Sequence, residues 1–293
     1  MPPSAERVIG IAGAGPIAQA FGKALIERGI GINCIASRNR NHAEAAAMFL
    51  ENGVRAVSYR GLALSASHVI MAVSDRAISS VAEELASVSG NLCVALHTCG
   101  SYGPEALAPL SAAGISCGAI HPLQTIRDGK SGAKDLRSAA FAISGDSAAL
   151  SWAEEVAAEL SGMILRINPE GRHLYHAAAV MASNYIAALL DSAEHLMVMA
   201  GVPKPDALRA LAPLARAGLE NVLQNGPVDA LTGPVVRGDA ATVEAHTQTL
   251  ETADASIAAL YEAAGLRALC MARARGLSEE QAENVRRALT GRR

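Results

Sequence analysis

Hydrophobic and polar positions along the first 167 residues form a pattern typical of short strands separated by amphipathic helices. Eight apolar runs predict strands, and alanine- and glutamate-rich stretches in most of the gaps predict helices. The predicted strands cover 7–12, 31–37, 54–57, 68–73, 92–97, 115–120, 139–144 and 163–167, and the helices 16–28, 42–52, 75–87, 104–113 and 147–161. Strands that alternate with helices favour βαβ units, so this part predicts an α/β fold with a doubly wound parallel sheet.

The strand pattern ends at Asn168-Pro169, and the rest of the chain has helical periodicity. The predicted helices cover 170–200, 204–223, 240–264, 266–275 and 278–290. We therefore predict a Rossmann domain over 1–167 and an all-helical domain over 168–293. The stretch 177–200 is mostly apolar, but Asn184, Asp191 and Glu194 interrupt it, which favours a buried helix over a membrane span.

The first strand ends in Gly13-x-Gly15-x-x-Ala18 and runs directly into a helix. In this arrangement the first glycine permits a tight turn, the second lets a pyrophosphate approach the backbone, and the small third residue lets helix and strand pack closely. The helix N-terminus, which includes Pro16 and Ile17, presents free N–H groups to the anion. The motif predicts dinucleotide binding; the alternative is a glycine-rich turn.

The second predicted strand ends in Ser37-Arg38-Asn39-Arg40, where sites for NAD usually carry an acidic residue that binds the ribose 2′-hydroxyl. No carboxylate occurs between Arg28 and His42. Arginine makes bidentate, charge-assisted hydrogen bonds to phosphate, so Ser37, Arg38 and Arg40 predict NADP as the cofactor. The alternative is a solvated loop that carries two surface arginines.

Polar clusters follow three successive predicted strands, at the edge where ligands bind in open α/β sheets. We predict that they line the cofactor and substrate pocket, although a polar loop that caps a helix remains the alternative for each, and for Asp75 in particular. The residues are Val73, Ser74 and Asp75 after the fourth strand, His97 and Thr98 at the fifth, and His121 and Gln124 at the sixth.

The helical domain opens with a helix that predicts further contributions to the site. Arg172 and His176 lie four residues apart and therefore on one helix face, with Asn184 near the same stripe. An amide in an apolar helix needs hydrogen-bond partners, which a ligand or the other domain would supply. For His176, a core histidine with a structural partner is an equally good interpretation. Residues 231–239 predict a structured loop in which Asp239 caps the next helix or binds substrate.

Composition and charge narrow the class of protein. A net charge of −3 without any block of like charges gives no indication of nucleic-acid binding. The five cysteines are odd in number and contain no C-x-x-C pair, so neither a disulfide framework nor a metal site is expected. With no signal-peptide pattern at the N-terminus, we predict a cytoplasmic protein that does not associate with membranes.

Taken together, these motifs resemble a bacterial family of NADP-linked oxidoreductases in which a Rossmann domain precedes a helical domain of unknown function. The motifs that carry the resemblance are Gly13-x-Gly15-x-x-Ala18, 73–78, His97-Thr-Cys-Gly-Ser101, His121-Pro-Leu-Gln124, 174–178 with 183–185, and 232–239. More distantly the chain is similar to pyrroline-5-carboxylate reductase, ketopantoate reductase and the deazaflavin-dependent NADP oxidoreductases. The resemblance implies hydride transfer and a dimer formed through the helical domain, but it does not supply a substrate.

The chain departs from the pattern expected of that family at several positions. Arg172 stands where a lysine is expected, and because arginine stays charged it cannot donate a proton. Cys99 stands where a serine is expected. The Lys-x-x-x-Asn pair of the relatives has no match, because His176 and Asn184 are eight residues apart.

These considerations predict a reductase for a small carbonyl or imine substrate that bears a carboxylate. We expect His121 to be the proton donor, with His176 as second choice and Asn184 orienting the substrate. Arg172 or Arg127, with Gln124, would bind the substrate. We expect the protein to be a homodimer. The competing interpretation is a protein that senses NADP(H) without turnover, because fold does not fix function.

Overall fold

The computed structural model describes residues 7–291, so residues 1–6 and 292–293 of the predicted domains lie outside the described part. All eight predicted strands are present in one sheet of order β3-β2-β1-β4-β5-β6-β7-β8. The strands are β1 (Ile9–Ala12), β2 (Ile32–Ala36), β3 (Arg55–Val57), β4 (His68–Met71), β5 (Val94–His97), β6 (Ser116–Pro122), β7 (Ala140–Gly145) and β8 (Met163–Arg166).

The sheet is mostly parallel, which confirms the Rossmann prediction, but one pairing corrects it. β6 and β7 are antiparallel, with His121 opposite Ala142, whereas β7 and β8 are parallel to each other. β7 and β8 therefore run opposite to the six other strands. Residues 123–139 turn the chain back beside β6 without the crossover that a parallel pair requires.

Helices cover both faces of the sheet and form the C-terminal part of the chain. They are α1 (Pro16–Ile26), α2 (Arg40–Leu50), α3 (Tyr59–Ser65), α4 (Ile78–Ala86), α5 (Ala108–Ala112), α6 (Gly129–Asp135), α7 (Ser147–Glu159), α8 (Arg172–Ala182), α9 (Asn184–Met199), α10 (Lys204–Asn225), α11 (Pro227–Ala230), α12 (Ala240–Ala253), α13 (Ala255–Ala274) and α14 (Glu279–Thr290). The pattern did not predict α3 and α6. The second of these packs closely on α1, because a Cβ at Gly129 would lie only 2.5 Å from Gln19 Cβ.

Two hydrophobic layers, one on each face of the sheet, form the core of the Rossmann part. Consecutive strand residues point to opposite faces, so Ile70 packs with Phe21 and Phe141 on one side. Met71 packs with Leu62 on the other side. Because both faces are covered, the central strands read as continuous apolar runs.

The chain divides into two compact units between Asn184 and Tyr185. The first unit contains the sheet and also α8, which follows the last strand. The second unit is helical, with a core that includes Val243, Leu269 and Val285. The strands end near residue 168 as predicted, but the compact unit that contains them extends one helix further.

The helix predicted over 170–200 is divided at Ser183, whose φ of −127° and ψ of −72° are not helical. Neither α8 nor α9, over 172–182 and 184–199, contains a buried residue, which contradicts the prediction of a buried helix. Apolar residues on these helices are thus exposed in the single chain. A second break lies at Asp254, which caps α13 by accepting hydrogen bonds from the N–H groups of Ser256 and Ile257.

One helix of the described chain, α13, is long and apolar enough to cross a membrane, with a mean hydropathy of 1.2. A single helix of this kind is weak evidence for a span, since helices of soluble proteins also meet the criterion. The five cysteines are free thiols in the structure.

Candidate functional site

The turn between β1 and α1 has the geometry that the glycine motif predicts. Gly13 is buried at φ +119°, and a Cβ there would lie 2.1 Å from the carbonyl oxygen of Ala72. At Gly15 a Cβ would meet no heavy atom within 4 Å. Gly13 is therefore required by the turn itself, whereas Gly15 leaves open space beside the backbone.

The N-terminus of α1 faces that open space. Gly15 is the N-cap residue with extended backbone, Pro16 is the first helical residue, and no side chain caps the helix. Because Pro16 has no N–H, the N–H groups of Ile17 and Ala18 are the first that a ligand can meet. Ile17 is exposed beside them. This end of α1 fits a pyrophosphate group.

The segment after β2 presents an exposed cation. Ser37 is half-buried, and Arg38 and Arg40 are exposed. Arg40 is the first residue of α2 and pairs with Glu44, with Nε and Oε1 2.8 Å apart. Arg38 has no salt bridge within residues 7–291, which leaves its guanidinium available to a 2′-phosphate.

The segment after β4 lies at the same edge of the sheet. Val73 is half-buried, while Ser74 and Asp75 are exposed. Asp75 is the first residue of a short 3₁₀ turn, Asp75–Ala77, that leads into α4, and the N-cap position before it belongs to Ser74. The capping alternative is thus not what the structure shows. Asp75 lies close enough to influence the pKa of both Cys99 and His121.

The side chains of His97 and Thr98, at the end of β5, are buried in the protein. The His97 ring is fully buried; its Nδ1 accepts a hydrogen bond from the Cys99 N–H at 3.2 Å. Nε2 therefore carries the proton and donates to the Gly103 carbonyl oxygen at 2.8 Å. Burial lowers the pKa of His97. Thr98 is also buried. The His97 ring is used within its own loop, and the Thr98 hydroxyl lies 3.5 Å from the Met71 carbonyl oxygen of β4. Both side chains thus point into the protein, which corrects the prediction that they line the cofactor site.

His121 lies at the end of β6 and pairs with a residue of α8. The hydroxyl oxygen of Tyr175 is 2.7 Å from Nδ1 of His121, and the two rings meet edge to face at 89°. Burial, together with the charge of His176, lowers the pKa of His121 to about 4. Burial also raises the pKa of Tyr175 to about 12. At neutral pH both groups are therefore uncharged.

Sequence reasoning did not assign a role to Tyr175. The spacing could have indicated a role for Tyr175, because Tyr175 follows Arg172 by three residues and therefore lies on the same helix face as Arg172. What the sequence did not show is that this face of α8 meets the end of β6.

The structure places the two other predicted catalytic residues differently. The His176 ring centroid is 6.3 Å from that of His121, and its Nδ1 is buried without a hydrogen-bond partner in the described chain. Asn184 is exposed at the start of α9. The prediction that Asn184 is a buried amide is therefore wrong, because the break at Ser183 takes it off the stripe of α8.

A small cavity of about 20 Å³ lies beside the His121–Tyr175 pair, enough for one water-sized group. Its walls come from the loop after β5, from β6 and β7, and from α8. The lining residues include Gly100, Ala119, Ala142, Ile167 and Arg172. Gly100 fits closely against the imidazole, since a Cβ there would lie 2.7 Å from His121 Nε2.

Of the predicted substrate-binding residues, Arg172 is the one at this cavity. Its side chain is only 12% exposed, and Nη1 lies 3.1 Å from Oε1 of Glu105. Glu105 also accepts a hydrogen bond from the Gly103 N–H at 2.8 Å. Arg172 therefore fastens α8 to the loop that His97 organises, which makes it first of all a structural ion pair.

Gln124 and Arg127 are exposed after β6. The Gln124 side chain accepts a hydrogen bond from the Thr125 N–H and so folds onto its own backbone. Arg127 has no salt bridge within the described part of the chain. No group of three metal-ligating side chains occurs among residues 7–291.

Two family models match the sequence over adjacent ranges. A Rossmann-like domain matches residues 3–122, and a domain of unknown function, DUF2520, matches residues 139–268. The chain combines a Rossmann-like domain with a DUF2520 domain. This confirms the resemblance that the motifs indicated. The DUF2520 match begins within the sheet, before β7, and includes α8. No curated protein sequence matches the chain.

Solved structures with the same fold cover nearly the whole chain. A Thermotoga maritima protein is 25% identical with a TM-score of 0.73, and the match covers 92% of this chain and 99% of that one. A Bacteroides fragilis protein described as an NADP oxidoreductase is 22% identical (TM-score 0.72; 90% and 98% covered). A Plasmodium falciparum pyrroline carboxylate reductase with NADP bound is 12% identical (TM-score 0.58; 96% and 98%).

Proposed function

We propose that the protein is an NADP-dependent reductase for a small carbonyl or imine substrate that bears a carboxylate. The observation that carries this proposal is the open end of α1 at Gly15, together with Arg38 after β2, which has no salt bridge within residues 7–291. The names of the structural neighbours, which include an NADP oxidoreductase and an NADP-bound reductase, support the same cofactor.

Residues at the carboxyl edge of the sheet would hold the cofactor. The α1 N-terminus would bind the pyrophosphate, and Ser37 and Arg38 would bind the 2′-phosphate, with Arg40 contributing if it leaves Glu44. Val73, Ser74 and Asp75 would follow the cofactor along the edge toward β5 and β6. When bound, the reduced nicotinamide supplies the hydride. The chain must then supply a proton and hold the substrate.

His121 is the best-placed group for the proton, because it ends β6 and has a free Nε2. His176 lies next to it and remains the second candidate. For the substrate carboxylate we favour Arg127, because Arg172 already pairs with Glu105. Gln124, beside Arg127, would contribute once its side chain releases the backbone. Asn184 orients the substrate only if a conformational change or a second chain brings it to the site.

A screen of small 2-keto acids, cyclic imines and aldehydes with NADPH would test the reductase proposal. We expect oxidation of NADPH that requires both the protein and one substrate class, and that at limiting NADPH falls at least tenfold in Gly15→Ala. NADPH binding without oxidation by any of these classes would instead favour the competing function, an NADP(H) sensor. The His121–Tyr175 pair and the unpartnered His176 nitrogen favour the enzyme.

We further propose that the protein is a cytoplasmic homodimer, with no nucleic-acid or membrane partner. Apolar side chains are exposed on α8 and, in the helical unit, on α9 and α10, and they support a second copy of the chain as their cover, because exposed apolar surface often marks a protein–protein interface. Examples are Leu174, Leu189 and Leu223, of which Leu223 is 76% exposed. Two-fold dimers are the commonest oligomers. The five free thiols suit a reducing compartment.

Light scattering at micromolar protein should give about 60 kDa, twice the 30.1 kDa of one chain. Leu219 and Leu223 lie four residues apart on one face of α10, so Leu219→Glu with Leu223→Glu should shift the protein toward the monomer. Met48→Glu is the matched control, because Met48 is 79% exposed on the Rossmann part. A wild-type mass near 30 kDa would refute the dimer.

A further inference from the structure

We propose that Tyr175 positions His121 for catalysis: its hydroxyl donates to Nδ1 and so keeps the His121 proton on Nε2, which faces the substrate. This inference rests on the proposed reductase function. It adds a residue, Tyr175, that acts through His121 and does not itself bind substrate or cofactor. It assigns to α8 the task of fixing one tautomer of a histidine on the sheet.

The geometry around the two rings supports this direction of the hydrogen bond. The Tyr175 oxygen is 2.7 Å from Nδ1, and within residues 7–291 the hydroxyl proton of Tyr175 has no other acceptor, so it is donated to Nδ1. Nε2 has no hydrogen-bond partner in the same range. Gly100 lies against the same end of the ring, where a Cβ would be 2.7 Å from Nε2 and 2.8 Å from Cε1, so only a glycine leaves room beside Nε2. A proton on Nε2 is therefore free to meet a ligand.

The charges around the pair keep both groups neutral. The titratable or charged groups that face His121 come from two other strand ends and from α8: they are Asp75, His97, Arg172, Tyr175 and His176. Asp75 favours the protonated imidazole, but burial and the nearby histidines outweigh it and lower the pKa of His121 to about 4. At pH 7 an imidazolium is thus not available as the donor, whereas a neutral N–H is.

The proton transfer balances as a relay. As the hydride forms a new C–H bond, the π electrons of the substrate C=O or C=N become a lone pair on the heteroatom. That atom takes the proton from Nε2 while Nδ1 takes the hydroxyl proton of Tyr175. Tyr175 is left as phenolate and regains a proton from solvent. Polarisation of a carbonyl by a neutral imidazole is an established use of histidine.

Turnover by a Tyr175→Phe variant tests the relay. Because phenylalanine keeps the ring but has no hydroxyl, we expect kcat to fall at least tenfold with the affinity for NADPH unchanged within twofold. Tyr261→Phe is the matched control, since Tyr261 makes a similar hydrogen bond to His246 Nδ1, at 2.9 Å, in the helical unit. The control should keep wild-type kcat.

A second measurement needs no substrate. Nitrogen-15 NMR of the imidazole distinguishes a protonated from an unprotonated ring nitrogen, and we expect His121 in the free protein to be protonated at Nε2 only. In Tyr175→Phe the two tautomers should be mixed. A residue that only supports packing would not change this signal.

The outcomes separate the two proposals. No NADPH-dependent turnover by the wild type would overturn the reductase function and the relay with it. Turnover by the wild type with a fully active Tyr175→Phe variant would leave the function standing and overturn the relay. A His121 proton on Nδ1 in the free protein would overturn the relay as well.

Discussion

Replacing His121 with asparagine is expected to lower NADPH-dependent turnover at least a hundredfold, while NADPH binds with unchanged affinity. Asparagine keeps a polar side chain at the end of β6 but cannot relay a proton, and general acid catalysis contributes about 10²–10⁴-fold. The measurement is kcat with the substrate class that the screen identifies, beside a fluorescence titration with NADPH. His246→Asn is the control, because His246 pairs with Tyr261 outside the site.

The pH dependence provides an independent check of the same prediction. Because the pKa of His121 in the folded protein is about 4, below its ordinary value, the ring is neutral above that pH. Turnover should therefore be nearly constant between about pH 6 and 9, whereas an imidazolium donor would lose tenfold per pH unit over this range. If His121→Asn keeps most of the wild-type turnover, His121 is not the proton donor, and His176 becomes the candidate for that role.

The two glycines of the first turn are expected to respond differently to replacement by alanine: Gly13→Ala should destabilise the fold, whereas Gly15→Ala should weaken NADPH binding. In Gly13→Ala the new methyl group would collide with the Ala72 carbonyl oxygen at a backbone φ of +119°. We expect a loss of about 2–6 kcal/mol in the free energy of unfolding from strain and overpacking. In Gly15→Ala nothing stands within 4 Å of the methyl group, so stability should change by less than about 1 kcal/mol.

The affinity for NADPH separates the two variants further. In Gly15→Ala the alanine methyl group would occupy the space in which the pyrophosphate approaches the backbone. We therefore expect the affinity for NADPH to fall at least tenfold, which corresponds to about 1.4 kcal/mol. Chemical denaturation and fluorescence titration measure the two quantities. Unchanged NADPH affinity in a folded Gly15→Ala protein would contradict the placement of the cofactor at α1.

The sequence predicted the strands well because each carries a local apolar signal bounded by glycines or polar residues. It also predicted the β1–α1 turn, since Gly13 and Gly15 have roles that few other residues can take. It did not predict α6, whose Gly129 and Gly132 disfavour a helix; close packing on α1 overrides that preference. The hydrophobic pattern of a strand does not indicate the direction in which the strand runs. The antiparallel pairing of β7 with β6 was therefore not predicted.

The candidate site was only partly predictable for a related reason. Strand ends are visible in sequence, which is why His121 was found, but the side chains they meet depend on tertiary packing. Tyr175 became a candidate only through its contact with His121. His97 shows the opposite error, because a polar residue at a strand end turned inward to organise its own loop. Asn184 was misplaced because one residue, Ser183, ends the helix before it.

Titration of the protein with NADPH and NADH tests the central claim most directly. We predict that NADPH binds at least tenfold more tightly, which corresponds to roughly 1.4 kcal/mol, and that Arg38→Asp narrows this difference. Arg40→Asp should narrow it less, because Arg40 is paired with Glu44. Equal affinities of the wild-type protein for the two nucleotides, or no binding of either, would contradict the account.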